Sequence, residues 1–182
     1  MSEDRMKDEN PMRTIKLGKV TVNIGVGKSG EQLEKARKVL EQITGRRPCS
    51  RRAKKTIKDF GVRKGEPIAC MVTLRGSEAV DRLKAFLTAV GNRVRSSAFD
   101  DYGNFSFGIK EHIEIPGTKY YPELGIFGMN VSVSLERPGY RVKRRTIKRS
   151  DVSRSHLVTR EEAIEYARQN LGIEILGEQE PE

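Results

Sequence analysis

The 182-residue sequence has no tryptophan, only 6% aromatic residues, two cysteines and two histidines. Each shortage removes a class of function. With so few aromatics, and no RNP1-type string among them, base stacking is not expected to dominate any nucleic-acid recognition. Cys49 and Cys70 stand far apart with no partner at metal-ligand spacing. They suit a reducing cytoplasm and are expected to be small buried or half-buried residues. With His112 and His156 the only imidazoles, no metal site is credible. Apolar residues make up 36% without glycine, against ~45–50% with glycine counted in ordinary globular chains, and no apolar run approaches the ~18–20 residues that cross a bilayer. The opening MSEDRMKDENPMRT lacks an apolar h-region, so it does not read as a signal peptide.

What the chain does have is charge, 33% of its residues with a net of +10, and it is unevenly spread. Residues 46–64 and 137–160 each hold nine Lys/Arg and one acid, a local net of +8, so the rest of the chain is at −6. A mildly acidic body therefore carries two strongly cationic segments. The natural partner is a polyanion, because each neutralised phosphate releases condensed counterions. An anionic membrane would require an amphipathic helix with a bulky apolar face, which neither segment offers.

Hydropathy patterning divides the rest into short elements. Val20, Val22, Ile24 and Val26 alternate with polar residues as in a half-buried strand. A glycine turn follows, with Ser29 and Gln32 placed as a capping box. The next helix carries Leu33, Ala36, Leu40 and Ile43 and stops at Gly45. The first basic segment reads as a strand leading into an exposed loop, and residues 68–76 as a strand. Ser77 is placed to cap a helix bearing Val80, Leu83, Leu87, Val90 and Val94. A turn-rich stretch leads into a strand with Phe105, Phe107, Ile109, Ile113 and Ile115, and Met129 to Leu135 alternate again after the loop 117–128. Thr159 and Glu162 form a capping box for a last helix ending before Gly172; the remaining acidic tail is expected to fray. The order β-α-β-β-α-β-β-α predicts an α+β fold with a mainly antiparallel sheet and helices packed on one face. The division expected is a flexible tail 1–12, a single domain 13–176 with a basic loop at 50–66, and an acidic tail 177–182. The opposite sheet face, with Thr21, Asn23, Thr73, Arg75, Ser132 and Ser134, is polar and is a second candidate surface for RNA.

Several motifs imitate enzymes and fail on context. Gly25-Val-Gly27-Lys-Ser-Gly30 matches GxGxxG between a strand and a helix, but the acid expected ~20 residues on is replaced by RRPCSRR. A Walker A loop ending at Lys28-Ser29 would need glycine where Val22 stands. The turn is better explained by tight backbone geometry, with Lys28 and nearby amides free to touch a phosphate. His112-Ile-Glu114 lacks the downstream PCxxC of zinc deaminases. Asp100-Asp101 read as turn acids, and Phe99, Tyr102, Phe105 and Phe107 as hairpin packing with a lesser claim to face RNA. No nucleophile elbow is present, so the chain is not expected to be an enzyme or to hold a cofactor.

Five blocks carry a resemblance: VNIGVG (22–27), TGRRP (44–48), RAKKTIKDFGVRKGEPIACMVTLRG (52–76), FDDYGNFSFGIKEHIEIPG (99–117) and GMNVSV (128–133). In that order and spacing they closely resemble the universal large-subunit ribosomal protein five family, the one that binds 5S rRNA. PGYRVKRR and SHLVTREEAIEYA resemble its archaeal and eukaryotic branch. The resemblance implies a five-stranded antiparallel sheet with helices on one side, a protruding basic loop, and a place in the central protuberance of the cytoplasmic ribosome. It implies 5S rRNA contacts at Asn23, Arg46, Thr73 and Arg75, where Arg46 replaces a common glutamine; Lys28 and Arg47 join this set as neighbouring cations. The family's long loop reaches toward the P-site tRNA and large-subunit rRNA, and Arg51, Arg52, Lys54, Lys55, Lys58, Arg63 and Lys64 map onto it. The second basic segment, with Arg141, Lys143, Arg144, Arg145, Lys148 and Arg149, is expected to be a branch-specific rRNA-binding arm. Neighbouring proteins of the protuberance and of the small-subunit head are further implied partners.

Overall fold

In the computed structural model, which describes residues 10–177, the alternating apolar runs are strands of one sheet. In chain order the elements are β1 (Lys16–Gly25), α1 (Glu31–Thr44), β2 (Cys49–Arg52), β3 (Pro67–Leu74), α2 (Ser77–Ala89), β4 (Arg93–Arg95), β5 (Asn104–Ile109), β6 (Met129–Glu136), α3 (Arg160–Leu171) and β7 (Glu174–Leu176). Five strands form a sheet in the order β2-β3-β1-β6-β5, antiparallel throughout. Because side chains alternate across a strand, Val20, Val22 and Ile24 of β1 share the inner face with Cys70, Val72 and Leu74, Val131, Val133 and Leu135, and Phe105 and Ile109. Each large side chain sealed there is worth ~1.5–3 kcal/mol of transfer free energy. The helices close this face, α1 with Leu33, Ala36, Val39, Leu40 and Ile43, α2 with Ala79, Leu83, Phe86 and Leu87, and α3 with Ala163 and Ala167.

Several local expectations hold. Gly45 and Gly172 end α1 and α3 in the left-handed conformation, and Thr159 with Glu162 forms a complete capping box. Asp100 is a turn acid, its Oδ1 accepting the backbone N–H of Tyr102 and of Asn104. Phe99, Phe105 and Phe107 stack in the core, whereas Tyr102 is 66% exposed. Buried His112 accepts the Phe127 N–H at Nδ1, and burial lowers its pKa. Cys70 is buried, which pushes its thiol up to about 11.

Others are corrected. Ser29 does not cap α1 and Ser77 does not cap α2; the N-caps are Gly30 and Gly76, and neither makes a side-chain cap. Val94 belongs to β4 rather than to α2. Ile113 and Ile115 lie beyond β5, around a 3₁₀ turn at His112–Glu114. Cys49 is exposed. The C-terminal stretch does not simply fray: Glu174–Leu176 pairs in parallel with β4, and only residues 178–182 of that tail, like 1–9 of the N-terminal one, lie outside the described residues.

Candidate nucleic-acid interface

Among the described residues no helix covers the outer face of the sheet, and its composition differs sharply from that of the inner one. The register places Thr73, Thr21, Ser132 and Ser106 in one row across four strands, with Met71, Asn23, Asn130 and Gly108 in the next. The side chains of Thr21, Asn23, Thr73, Ser106, Asn130, Ser132 and Ser134 make no hydrogen bond within the described residues. Their donors and acceptors are therefore held open on a rigid pleat at strand spacing, a surface suited to hydroxyls and phosphate oxygens. Ser106 and Asn130 are not among the expected contacts, although their places between Phe105 and Phe107 and between Met129 and Val131 mark them as outward-facing.

The expected cations fall at the two ends of this face. At the Val20–Leu74 end, Arg75 follows β3 and is exposed, as are Arg46 and Arg47 before β2. Arg46 is not a free cation. Its Nε donates to Glu78 Oε2 at 3.0 Å and its Nη2 binds the same oxygen. This hydrogen bonding holds the Glu78 carboxyl below its usual range. Arg46 is exposed and Glu78 partly so, and a pair this open to water adds little stability, but it fixes the guanidinium against α2.

At the Gly25–Ala69 end lie the glycine turn and the basic loop. Val26 and Gly27 both donate to the Ile68 carbonyl, which sets Lys28 beside Lys54 and Lys55 rather than beside Arg46, Arg47 and Arg75. The loop has a structure of its own. The Ala53 N–H donates to the Glu66 carbonyl and the Gly65 N–H to that of Ala53. Ile57 and Val62 form a bridge, and the Lys64 N–H donates to Thr56 Oγ1. Exposed Arg51, Arg52, Lys54, Lys55, Lys58, Arg63 and Lys64 surround it. Arg51 Nη2 lies 3.6 Å from Met71 Sδ, at the edge of the open face.

Glu66 clasps this loop to the glycine turn, accepting from Ser29 Oγ and from the Arg63 N–H at 3.0 Å. The Ser29 hydrogen bond is the main reason its carboxyl titrates below the ordinary value. A depressed folded pKa means the clasp is fully formed above the unfolded carboxyl pKa of ~4.3 and is lost as pH falls through the lower folded value. Glu66→Ala is expected to speed proteolytic cleavage between Lys54 and Lys64 while the global melting transition moves little. Limited trypsinolysis followed by mass spectrometry measures this, and cleavage unchanged from the parent would refute it.

The second basic segment is folded back rather than extended. Its first residue, Arg137, is 7% exposed and donates to Glu162, to the Arg13 carbonyl and to the Leu157 carbonyl. Buried Tyr140 accepts the Val158 N–H and donates to the His156 carbonyl, while His156 Nε2 meets the Pro138 carbonyl at 2.9 Å. Lys143 Nζ sits 4.1 Å over the Tyr140 ring, Arg144 is paired with Glu136, and Arg145 Nε donates to the Lys148 carbonyl. Arg141, Lys148 and Arg149 are exposed. The segment adjoins the sheet at the Lys16–Glu136 pair, so it shares an end with Arg46, Arg47 and Arg75.

An open polar sheet face with cationic structures at either end is the kind of surface that suits a nucleic acid, and comparison with known proteins gives the family. Residues 10–63 match the family described as Ribosomal protein L5, and residues 67–166 match the C-terminus of the same ribosomal family. The chain is 54% identical over 168 residues to the large ribosomal subunit protein uL5 of Sulfurisphaera tokodaii, covering 92% of this chain and 95% of that one. The uL5 protein of Sulfolobus acidocaldarius is 52% identical, with 97% and 99% covered, and that of Pyrobaculum aerophilum 56%, with 91% and 93% covered. The chain belongs to the ribosomal protein L5 family, as a structural and non-enzymatic component. The two matched segments build one sheet: β1 and β2 come from the first, β3, β5 and β6 from the second.

Proposed function

We propose that this chain is a structural constituent of the large ribosomal subunit that binds 5S rRNA on its open sheet face. The same reading has it anchor 5S rRNA to large-subunit rRNA in the central protuberance, with the basic loop of residues 50–66 directed toward the P-site tRNA. The observation that carries it is the set of unpartnered hydroxyls and amides on the outer face, flanked at both ends by cations. Phosphate contacts from the ends supply affinity and position, and the neutral face supplies hydrogen bonds to 2′-hydroxyls and base edges. Arg75 and Arg47 serve one end of the face. Lys28 serves the other, the loop cations beside it face tRNA and large-subunit rRNA, and the folded arm with Arg141, Lys148 and Arg149 takes neighbouring large-subunit rRNA.

The test is filter binding of a 5S rRNA transcript against a tRNA competitor. Preference for 5S rRNA is expected, and equal binding of both would defeat the reading. Asn23→Ala or Thr73→Ala is expected to weaken 5S rRNA binding by about 1 kcal/mol, the usual net worth of a hydrogen bond, without change in the circular dichroism spectrum. Changing Lys54 and Lys55 together to Glu is expected to leave isolated 5S rRNA binding largely intact and to impair tRNA-dependent function. Abolition of 5S rRNA binding by that double change would overturn the division between face and loop.

A further inference from the structure

Where the open face meets the basic arm there is a polar hollow of about 260 Å³, lined by Lys19, Tyr102, Asn104, Ser134, Lys143 and Arg144 among others. A local irregularity in β1 borders it. Pairing shifts between Leu17 and Lys19: Leu17 opposes Leu135 on the inner side, yet Lys19 opposes Ser134 on the outer one. Lys19 keeps the outward alternation of Thr21 and Asn23; the bulge at Gly18 instead turns Leu17, which would otherwise share their face, onto the inner side. Ser134 in turn opposes Asn104, so Lys19, Ser134 and Asn104 form a third row beside Thr21, Ser132 and Ser106.

Tyr102 stands over this row on a turn with little freedom. Asp100 Oδ1 accepts both the Tyr102 and the Asn104 N–H, at 2.9 and 2.7 Å, and the Leu135 N–H donates to the Gly103 carbonyl. Gly103 has φ +74, and a Cβ there would meet Val158 Cγ1 at 2.6 Å, so the turn is pressed against the returning end of the arm. The ring is 66% exposed on this fixed support, so holding it in place on binding costs little entropy. The cations are likewise pre-placed, Lys143 over the Tyr140 ring and Arg144 on Glu136. Glu136 is the one acid in the lining, against three cations, and it is already paired. The hollow is smaller than the ~300–1,000 Å³ of dedicated small-molecule sites, which suits one unit of a longer polyanion.

We infer that this hollow is a nucleotide subsite, seating one unstacked nucleotide of the rRNA strand that crosses the open face. The base lies against Tyr102, the ribose hydroxyls meet Ser134 and Asn104, and the phosphate meets Lys19 and Lys143. The inference rests on the reading of the open face as an rRNA surface and assigns it a stacking position.

The experiment measures equilibrium binding of the full-length protein to a 5S rRNA transcript and, separately, to a large-subunit rRNA transcript, each across a salt series. Tyr102→Ala is expected to weaken binding about tenfold, within the range for loss of one base stack, with the salt slope unchanged. Tyr102→Phe keeps the ring and is expected to bind as the parent does. Lys19→Gln is expected to flatten the slope of log affinity against log salt by about one. Binding by Tyr102→Ala within about twofold of the parent on both RNAs overturns the subsite, as does a Phe variant as weak as the Ala variant. Parent binding to large-subunit rRNA but not to 5S rRNA would sink the 5S reading alone, and the subsite is then decided on the RNA that binds. Binding to neither overturns both.

Discussion

Replacing Arg137 by Ala is expected to lower the melting temperature by about 6–12 °C, the equivalent of about 3 kcal/mol in a chain of this size. The guanidinium is 7% exposed and makes three contacts, at 2.7 Å to Glu162 Oε1, 3.0 Å to the Arg13 carbonyl and 3.2 Å to the Leu157 carbonyl. Truncation leaves two carbonyls without their donor and opens a void. The loss falls at the low end for a broken buried pair because the Glu162 side chain is 38% exposed and regains water. Glu162 also serves the capping box of α3, so the N-terminal segment, the return of the arm and the last helix all loosen together. Calorimetry measures the shift, and a fall of less than about 2 °C would show that these contacts are not coupled as described.

The affinity for 5S rRNA is expected to fall roughly 10³–10⁵-fold between about 50 and 200 mM salt, the response of a protein making ~6–10 phosphate contacts. The charge census of the two segments alone suggests more contacts than this. Arg137 is buried, and Arg46 and Arg144 are bound to Glu78 and Glu136. A filter-binding titration across that interval gives the slope directly, and a dependence of tenfold or less would place recognition on the neutral face alone.

Strands with clean alternation are legible in the sequence because one face is buried and the other is not; β1, β3 and β6 follow directly from Val20, Val72 and Val131 and their neighbours at every second position. The parallel pair β4–β7 is not, since three residues carry no measurable period and the partners stand 81 positions apart at the Arg93–Glu174 pair. Caps fail where the side chain has a better partner: Ser29 has the cap-forming type and spacing but binds Glu66, from the far side of the loop. The same non-locality limits any reading of charge. Arg46 and Arg144 look as free as Arg47 and Arg145 in the sequence, and only the folded chain brings Glu78 and Glu136 to them. Leu17 escapes a reading by pattern, because its inward direction depends on the bulge at Gly18, whereas Lys19 keeps the alternation of Thr21 and Asn23.

The strand order has a consequence for biogenesis. β1 lies at the centre of the sheet, between β3 and β6, and Val20 pairs with both Leu74 and Val133. On a ribosome making this chain, the central strand emerges first, and its second neighbour follows only after most of the rest has been synthesised. Long-range pairings of this kind close slowly. Until β6 arrives, β1 keeps one bare edge in a chain that already carries the first cationic segment, amid abundant RNA. Nascent chains halted before Met129 are therefore expected to bind RNA through charge without selectivity, because the four-strand rows of the open face do not yet exist.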